Sequence, residues 1–204
     1  MRTKIQILAI SGLVTFLSTN PVNAQKNIGA FTKSYEYEYA ANYKKASETL
    51  VNVYDENSYE LNLRLGWLQY QAADYTKSIS YYKKAIINKP TSIEARIGLS
   101  YPLAALGNDD DIIANYQEVL KIDADHSTAN YWLGYIYYMH KDMDLAAKHT
   151  KKVLEFYPFD YDSNFLLGKI YIAQGKITEA KEVLGLALYY NPSSIMVKEV
   201  LEKL

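Results

Sequence analysis

Beyond residue 58, apolar and polar positions alternate with a helical period, in stretches of roughly 12 to 14 residues separated by short turns. Tyr59 to Gln71 and Tyr75 to Asn88 read as one such pair of helices. Ala73-Asp74 makes the turn between them, and Pro90 stops the second from continuing. At the other end, Val197, Val200 or Leu201, and Leu204 fall on one stripe, with Lys198, Glu199, Glu202 and Lys203 off it. That pattern predicts a short amphipathic helix whose polar side solvates the end of the element it packs on.

The pairs repeat. Gly66, Ser100, Gly134 and Gly168 stand at a fixed interval of 34 residues. Pro90, Pro158 and Pro192 close three of the four units, and Ala124 stands at the fourth closing position. Tyr70, Tyr137 and Tyr171 follow the glycines by three or four residues, and Ala146 and Ala180 follow by twelve. A fixed period of this length means a stacked array in which no unit buries its apolar face alone. The order Leu133-Gly134-x-x-Tyr137, then Ala146, then Pro158, returns as Leu167-Gly168-x-x-Tyr171, Ala180 and Pro192. It resembles the tetratricopeptide repeat family.

That resemblance implies an all-α fold, a right-handed superhelical solenoid of stacked antiparallel helix pairs. Four units span 59–92, 93–126, 127–160 and 161–194, preceded by a weaker unit at 25–58 and followed by a capping helix at 195–204. Gly66, Ala85, Pro90, Gly134, Ala146, Pro158, Gly168, Ala180 and Pro192 are then structural positions. Gly134 and Gly168 let the first helix of a unit (helix A) approach the second (helix B), with Ala146 and Ala180 expected as their packing partners. In the weak unit, Asn27 to Ala41 reads as helix A. Asn42-Tyr43 to Tyr54 reads as a helix B about 32 residues upstream of its counterpart, with the two-residue shortfall placed in the loop Asp55–Ser58. Unit 93–126 departs from the pattern. It has Gly98 and Pro102 inside helix A, Ser100 in the glycine slot and Ile112 in the alanine slot, so it reads either as repeat decay or as a local bend or groove.

The first two dozen residues stand outside the array. Arg2 and Lys4 precede a largely apolar run, Ile5 to Leu17, and Val22-x-Ala24 forms a small-residue cleavage site, so residues 1–24 read as a signal peptide. Retention as a membrane anchor is the alternative. The run is short of the roughly 20 residues a spanning helix needs, which leaves no membrane span after cleavage. The expectation is an exported, periplasmic or secreted bacterial protein. Without residues 1–24 the chain carries 20 Lys and Arg against 23 Asp and Glu. No basic stripe suggests nucleic acid. With no cysteine, disulfides, thiolate metal sites and cysteine nucleophiles are excluded, and packing alone must hold the fold.

In the family the A helices line a concave groove that receives partner segments. Carried over by position, the groove holds Phe31, Tyr35 and Tyr39, then Leu63, Trp67 and Tyr70, then Ile97, Tyr101, Ala104 and Ala105. Tyr131, Tyr135 and Tyr138, then Phe165, Lys169 and Ile172, complete it. Such an aromatic wall either anchors a partner or packs against neighbouring helices. The family's chaperone carboxylate clamp is missing, since its positions hold Leu63, Trp67, Gly98, Thr128 and Trp132. His126, His140 and His149 form no i, i+4 metal pair, so no metal or other cofactor and no catalytic set is expected. Asn108 to Asp111 reads as a helix start, and Glu36 and Glu38 as a solvated face. The expected function is non-enzymatic: a scaffold that binds another envelope protein or peptide along its groove. The alternative is a glycan- or small-ligand-binding protein that uses the groove aromatics as stacking platforms.

Overall fold

A computed structural model describes residues 21–204, with side chains from Asn27 onward. All but four residues of the expected signal peptide lie outside the described residues. Pro21–Ala24 form the start of the first helix. The described chain is helical throughout: α1 (Pro21–Tyr39), α2 (Tyr43–Val51), α3 (Tyr59–Gln71), α4 (Tyr75–Asn88), α5 (Ile93–Ala105), α6 (Asp109–Ile122), α7 (Ser127–Met139), α8 (Met143–Phe156), α9 (Tyr161–Ala173), α10 (Ile177–Tyr190) and α11 (Ile195–Glu202). Each helix packs on the next, giving a helical solenoid of A/B pairs that α11 closes. Among the described residues no helix is long and apolar enough to cross a membrane.

Local chemistry sets the helix ends. Side chains at the N-caps of the A helices, Ser58, Ser92, His126, Asp160 and Ser194, each accept a backbone N–H three residues on. Asn42, Asp74, Asn108 and Asp142 do the same for the B helices. Every A-to-B turn passes through a left-handed residue: Ala41, Ala73, Gly107, Lys141 and Gly175. The N–H of Asp74 bonds to the Gln69 carbonyl and that of Ala73 to the Tyr70 carbonyl, the paired bonds of a Schellman turn.

The core belongs to the joints between units. One cluster joins Tyr82 of α4 to Leu99 and Leu103 of α5, Tyr116 and Val119 of α6, and Leu133 and Ile136 of α7. Others join α2 to α3, α8 to α9, and α10 to α11. Leu65 and Leu133 are fully buried, so truncating either to alanine costs about 2–5 kcal/mol.

Three details differ from the sequence-based expectation. First, the side chain facing each repeat glycine lies sixteen residues on, not twelve. A Cβ at Gly66 would meet the Tyr82 ring at 2.9 Å, one at Gly134 would meet Thr150 Oγ1 at 2.5 Å, and one at Gly168 would meet Leu184 at 2.6 Å. The alanine position offers Gly134 only the Ala146 carbonyl, at 3.3 Å. Second, the shortfall of the weak unit lies in its helix. α2 has 9 residues against 14 in α4, and a longer connection to α3 recovers part of the difference. Third, α1 begins at Pro21 rather than Asn27 and ends at Tyr39, two residues earlier than Ala41.

The divergent unit keeps its helix. α5 runs unbroken through Pro102, which is buried. Its substitutions compensate one another: Tyr116 donates to Ser100 Oγ at 2.9 Å, and Ser100 donates to the Ile97 carbonyl at 2.7 Å. Gly98 leaves room for Tyr82 of the preceding unit, whose ring would lie 2.3 Å from a Cβ there.

Candidate functional site

The groove is built by three rows of side chains on successive A helices, each row advancing by one repeat. The first row is Phe31, Leu63, Ile97, Tyr131 and Phe165. The second is Tyr35, Trp67, Tyr101, Tyr135 and Lys169. The third is Glu38, Tyr70, Ala104, Tyr138 and Ile172. Positions four and then three residues apart share one helix face, so stacking A helices side by side makes one continuous lining.

The lining divides into compartments. One, about 790 Å³, lies across α1, α3 and α5 and takes in Phe31, Tyr35, Leu63, Trp67, Ile97 and Tyr101. A second, about 320 Å³, opens between α5 and α7. It is walled by Tyr70, Tyr101 and Tyr135, with Ala104 and Ala105 providing its depth. A third, about 480 Å³, lies between α7 and α9 and includes Tyr131. The last brings Tyr138, Phe165, Lys169 and Ile172 against Met196, Glu199 and Val200 of α11. Tyr39 is 88% exposed and lines none of these compartments. α1 ends at this residue, one turn past Tyr35, so the stripe runs out there.

Glu38 is not on a solvated face. It accepts from Trp67 Nε1 at 2.5 Å and pairs with Arg64 at 2.5 Å. Arg64 is buried and stacks on the Tyr35 ring, 3.8 Å from its centroid. Burial pushes the Glu38 carboxyl up, but the hydrogen bonds from Arg64 and Trp67 and the Arg64 charge outweigh it, leaving the group below its ordinary value. The sequence offered a signal: Glu38 occupies the third-row position that Tyr70 holds one unit on. Glu36 is exposed.

Trp67, Tyr70 and Tyr101 pack on one another, with ring centroids 5.6 to 6.5 Å apart. Trp67 also belongs to the cores on both sides of α3. By contrast Tyr101 (46% exposed) and Tyr135 (36%) present open surface to the groove. Lys169 sits beside the Tyr138 and Phe165 rings, 5.2 and 5.1 Å from their centroids.

A set of buried asparagines holds the A helices in register. Asn62 donates to the carbonyls of Glu56 and Ser58, Asn130 to those of Ala124 and His126, and Asn164 to those of Pro158 and Asp160. Each thereby ties its helix to the loop before it. The positions 62, 130 and 164 follow the repeat interval, so this signal was present in the sequence. The three histidines serve separate local roles. His126 caps α7, His140 bonds Asp109 at 2.9 Å, and His149 stacks on Tyr137 and bonds Asn130 at 2.9 Å.

Solved structures of similar shape include the MamA protein, with TM-score 0.74 and 20% identity over 83% of this chain and 93% of that one. A tetratricopeptide repeat protein from Parabacteroides merdae gives 0.77 and 17%, over 88% and 72%. YrrB, described as a TPR protein with an unusual peptide-binding site, gives 0.72 and 16%, over 90% and 95%. At these identities the likeness is one of fold. No curated protein matches the chain in sequence. Tetratricopeptide repeat family models match residues 31–93, 103–161 and 161–194, sparing most of the divergent helix α5. With the interval, the helix pairs and the glycine contacts in agreement, the chain belongs to the tetratricopeptide repeat family.

Proposed function

We propose that this protein is an interaction scaffold that receives an extended or helical segment of a partner protein along the concave face of its A helices. The observation that carries this reading is the continuous lining of aromatic and aliphatic side chains, of which Tyr101 and Tyr135 present open ring surface. Rigid aromatic surface in a preformed groove favours binding, because little side-chain entropy is lost on contact. YrrB, a neighbour in fold, is described by its peptide-binding site. The leader-like residues 1–24 support a setting in a bacterial envelope, with Gln25 as the mature N-terminus.

Affinity capture from an envelope extract, read by mass spectrometry, tests the groove. A Tyr101→Ala/Tyr135→Ala protein with unaltered circular dichroism is expected to lose a partner that the unaltered chain retains. Equal retention by both proteins removes the groove from the reading. Fractionation of the producing cells with intact-mass measurement tests export; a mass that retains residues 1–24 in the soluble cytoplasm overturns it. Trp67 and Tyr70 are half-buried and pack on each other, 5.9 Å between centroids, which leaves them less free face for stacked sugar rings and favours a protein segment.

A further inference from the structure

The second position of the A helices carries an acid in three units, Glu60, Glu94 and Asp162, with Thr128 between them. All four residues line the groove compartments, on the edge where the A helices begin. Asp160 joins them in the compartment between α7 and α9. First-turn acids favour helix starts on their own. What distinguishes this row is its surroundings. Among the described residues none of Glu60, Glu94, Asp160 and Asp162 forms an ion pair, whereas the groove cation Arg64 is paired with Glu38. Lys169, near the α11 end, is the other cation that lines the compartments. The edge is therefore negative over an apolar, aromatic floor.

The α7–α9 compartment shows the chemistry most clearly. Tyr131, Trp132 and Tyr157 wall it, and Asp160 and Asp162 stand at its rim. Ser163, fully buried, also lines it and has an Oγ without a hydrogen-bond partner. The Tyr131 hydroxyl is pushed up to about 12, first by burial and then by the charges of Asp162 and Asp160. Aromatic walls with carboxylates at one end suit the alkyl stem and charged head of a long cationic side chain.

We infer that the partner segment is basic, and that it places a lysine or arginine side chain between Tyr131, Trp132 and Tyr157 with its charge against Asp160 and Asp162. This rests on the groove reading above and specifies the chemistry of its occupant. Further basic residues of the same segment meet Glu94 and Glu60 along the edge. Charge complementarity of this kind sets specificity and makes binding salt-sensitive.

The test is selection of random dodecapeptides displayed on phage against the full chain. The selected peptides are then titrated against the unaltered protein, Asp160→Asn/Asp162→Asn and Tyr101→Ala/Tyr135→Ala. Asparagine at 160 keeps a capping oxygen, so the first variant is expected to melt with the unaltered protein. The inference expects enrichment of Lys and Arg, a loss of affinity of tenfold or more in the Asn variant, and weaker binding as salt is raised from 50 to about 300 mM. Peptides without basic enrichment, or bound equally by the Asn variant, overturn the basic-partner inference and leave the groove standing. Peptides bound equally by the Tyr101→Ala/Tyr135→Ala protein overturn the groove reading itself. Selection of nothing above background counts against both.

Discussion

Lys141 holds a left-handed backbone, φ 63°, at the turn position where neighbouring units carry Gly107 and Gly175. A residue with a Cβ is disfavoured there by roughly 1–2 kcal/mol, while glycine is about 0.5–1 kcal/mol more costly to order elsewhere. Lys141→Gly is therefore expected to stabilise the fold by about 0.5–1 kcal/mol, measurable as a higher urea midpoint with an unchanged slope. At Gly98 the sign reverses. Alanine is the better helix former by about 1 kcal/mol, but its Cβ would overlap the Tyr82 ring, and overpacking costs about 1–3 kcal/mol. Gly98→Ala is expected to lower the melting temperature, and a rise would refute the wedge formed by Tyr82. At Tyr131, Asp162→Asn removes a charge that opposes phenolate formation, so its titration midpoint should fall from about 12 while burial keeps it above the ordinary value. Carbon-13 labelling of the tyrosine rings would follow it. The glycine interval revealed close approach, but not which side chain fills it. That depends on how the helices are rotated against each other, and no period in the sequence specifies rotation.

At the scale of elements, the helix boundaries of the complete units were legible because caps, turns and closing prolines recur with the interval. α3 and α4 occupy the expected residues Tyr59–Gln71 and Tyr75–Asn88. The weak unit was less legible, because its 32-residue offset fits a shorter helix as well as a shorter loop, and only packing against α3 decides between them. Glu38 was misread for a related reason: a carboxylate flanked by tyrosines reads as solvated until Arg64 and Trp67 of α3, the A helix of the next unit, are brought against it. His149 in α8 offers a pH test. Burial first, and then the charge of Lys148, hold its imidazole below the ordinary value, so the folded state binds the proton more weakly than the unfolded chain. The stability from this group is complete above the unfolded-state value of about 6.5 and declines as pH falls below it. The melting temperature is expected to drop between about pH 7 and 5, and to drop less in His149→Gln.

For the molecule as a whole, cores shared between units mean that the ends depend on their last neighbour. Val197 is fully buried against Leu184 and Ala187. Removing residues 195–204 uncovers that patch and is expected to release the amide protons of α9 and α10 to rapid exchange, while those of α3 to α6 keep their protection. The joints between complete units are not equal. α6 lies more lightly on α7 than α4 on α5 or α8 on α9, although one buried cluster runs from α4 through to α7. The family models skip most of α5, one of the helices that meet near this joint. A change of angle at this joint would widen or narrow the mouth of the compartment lined by Tyr101 and Tyr135, so the core that α5, α6 and α7 share also sets how open that compartment is.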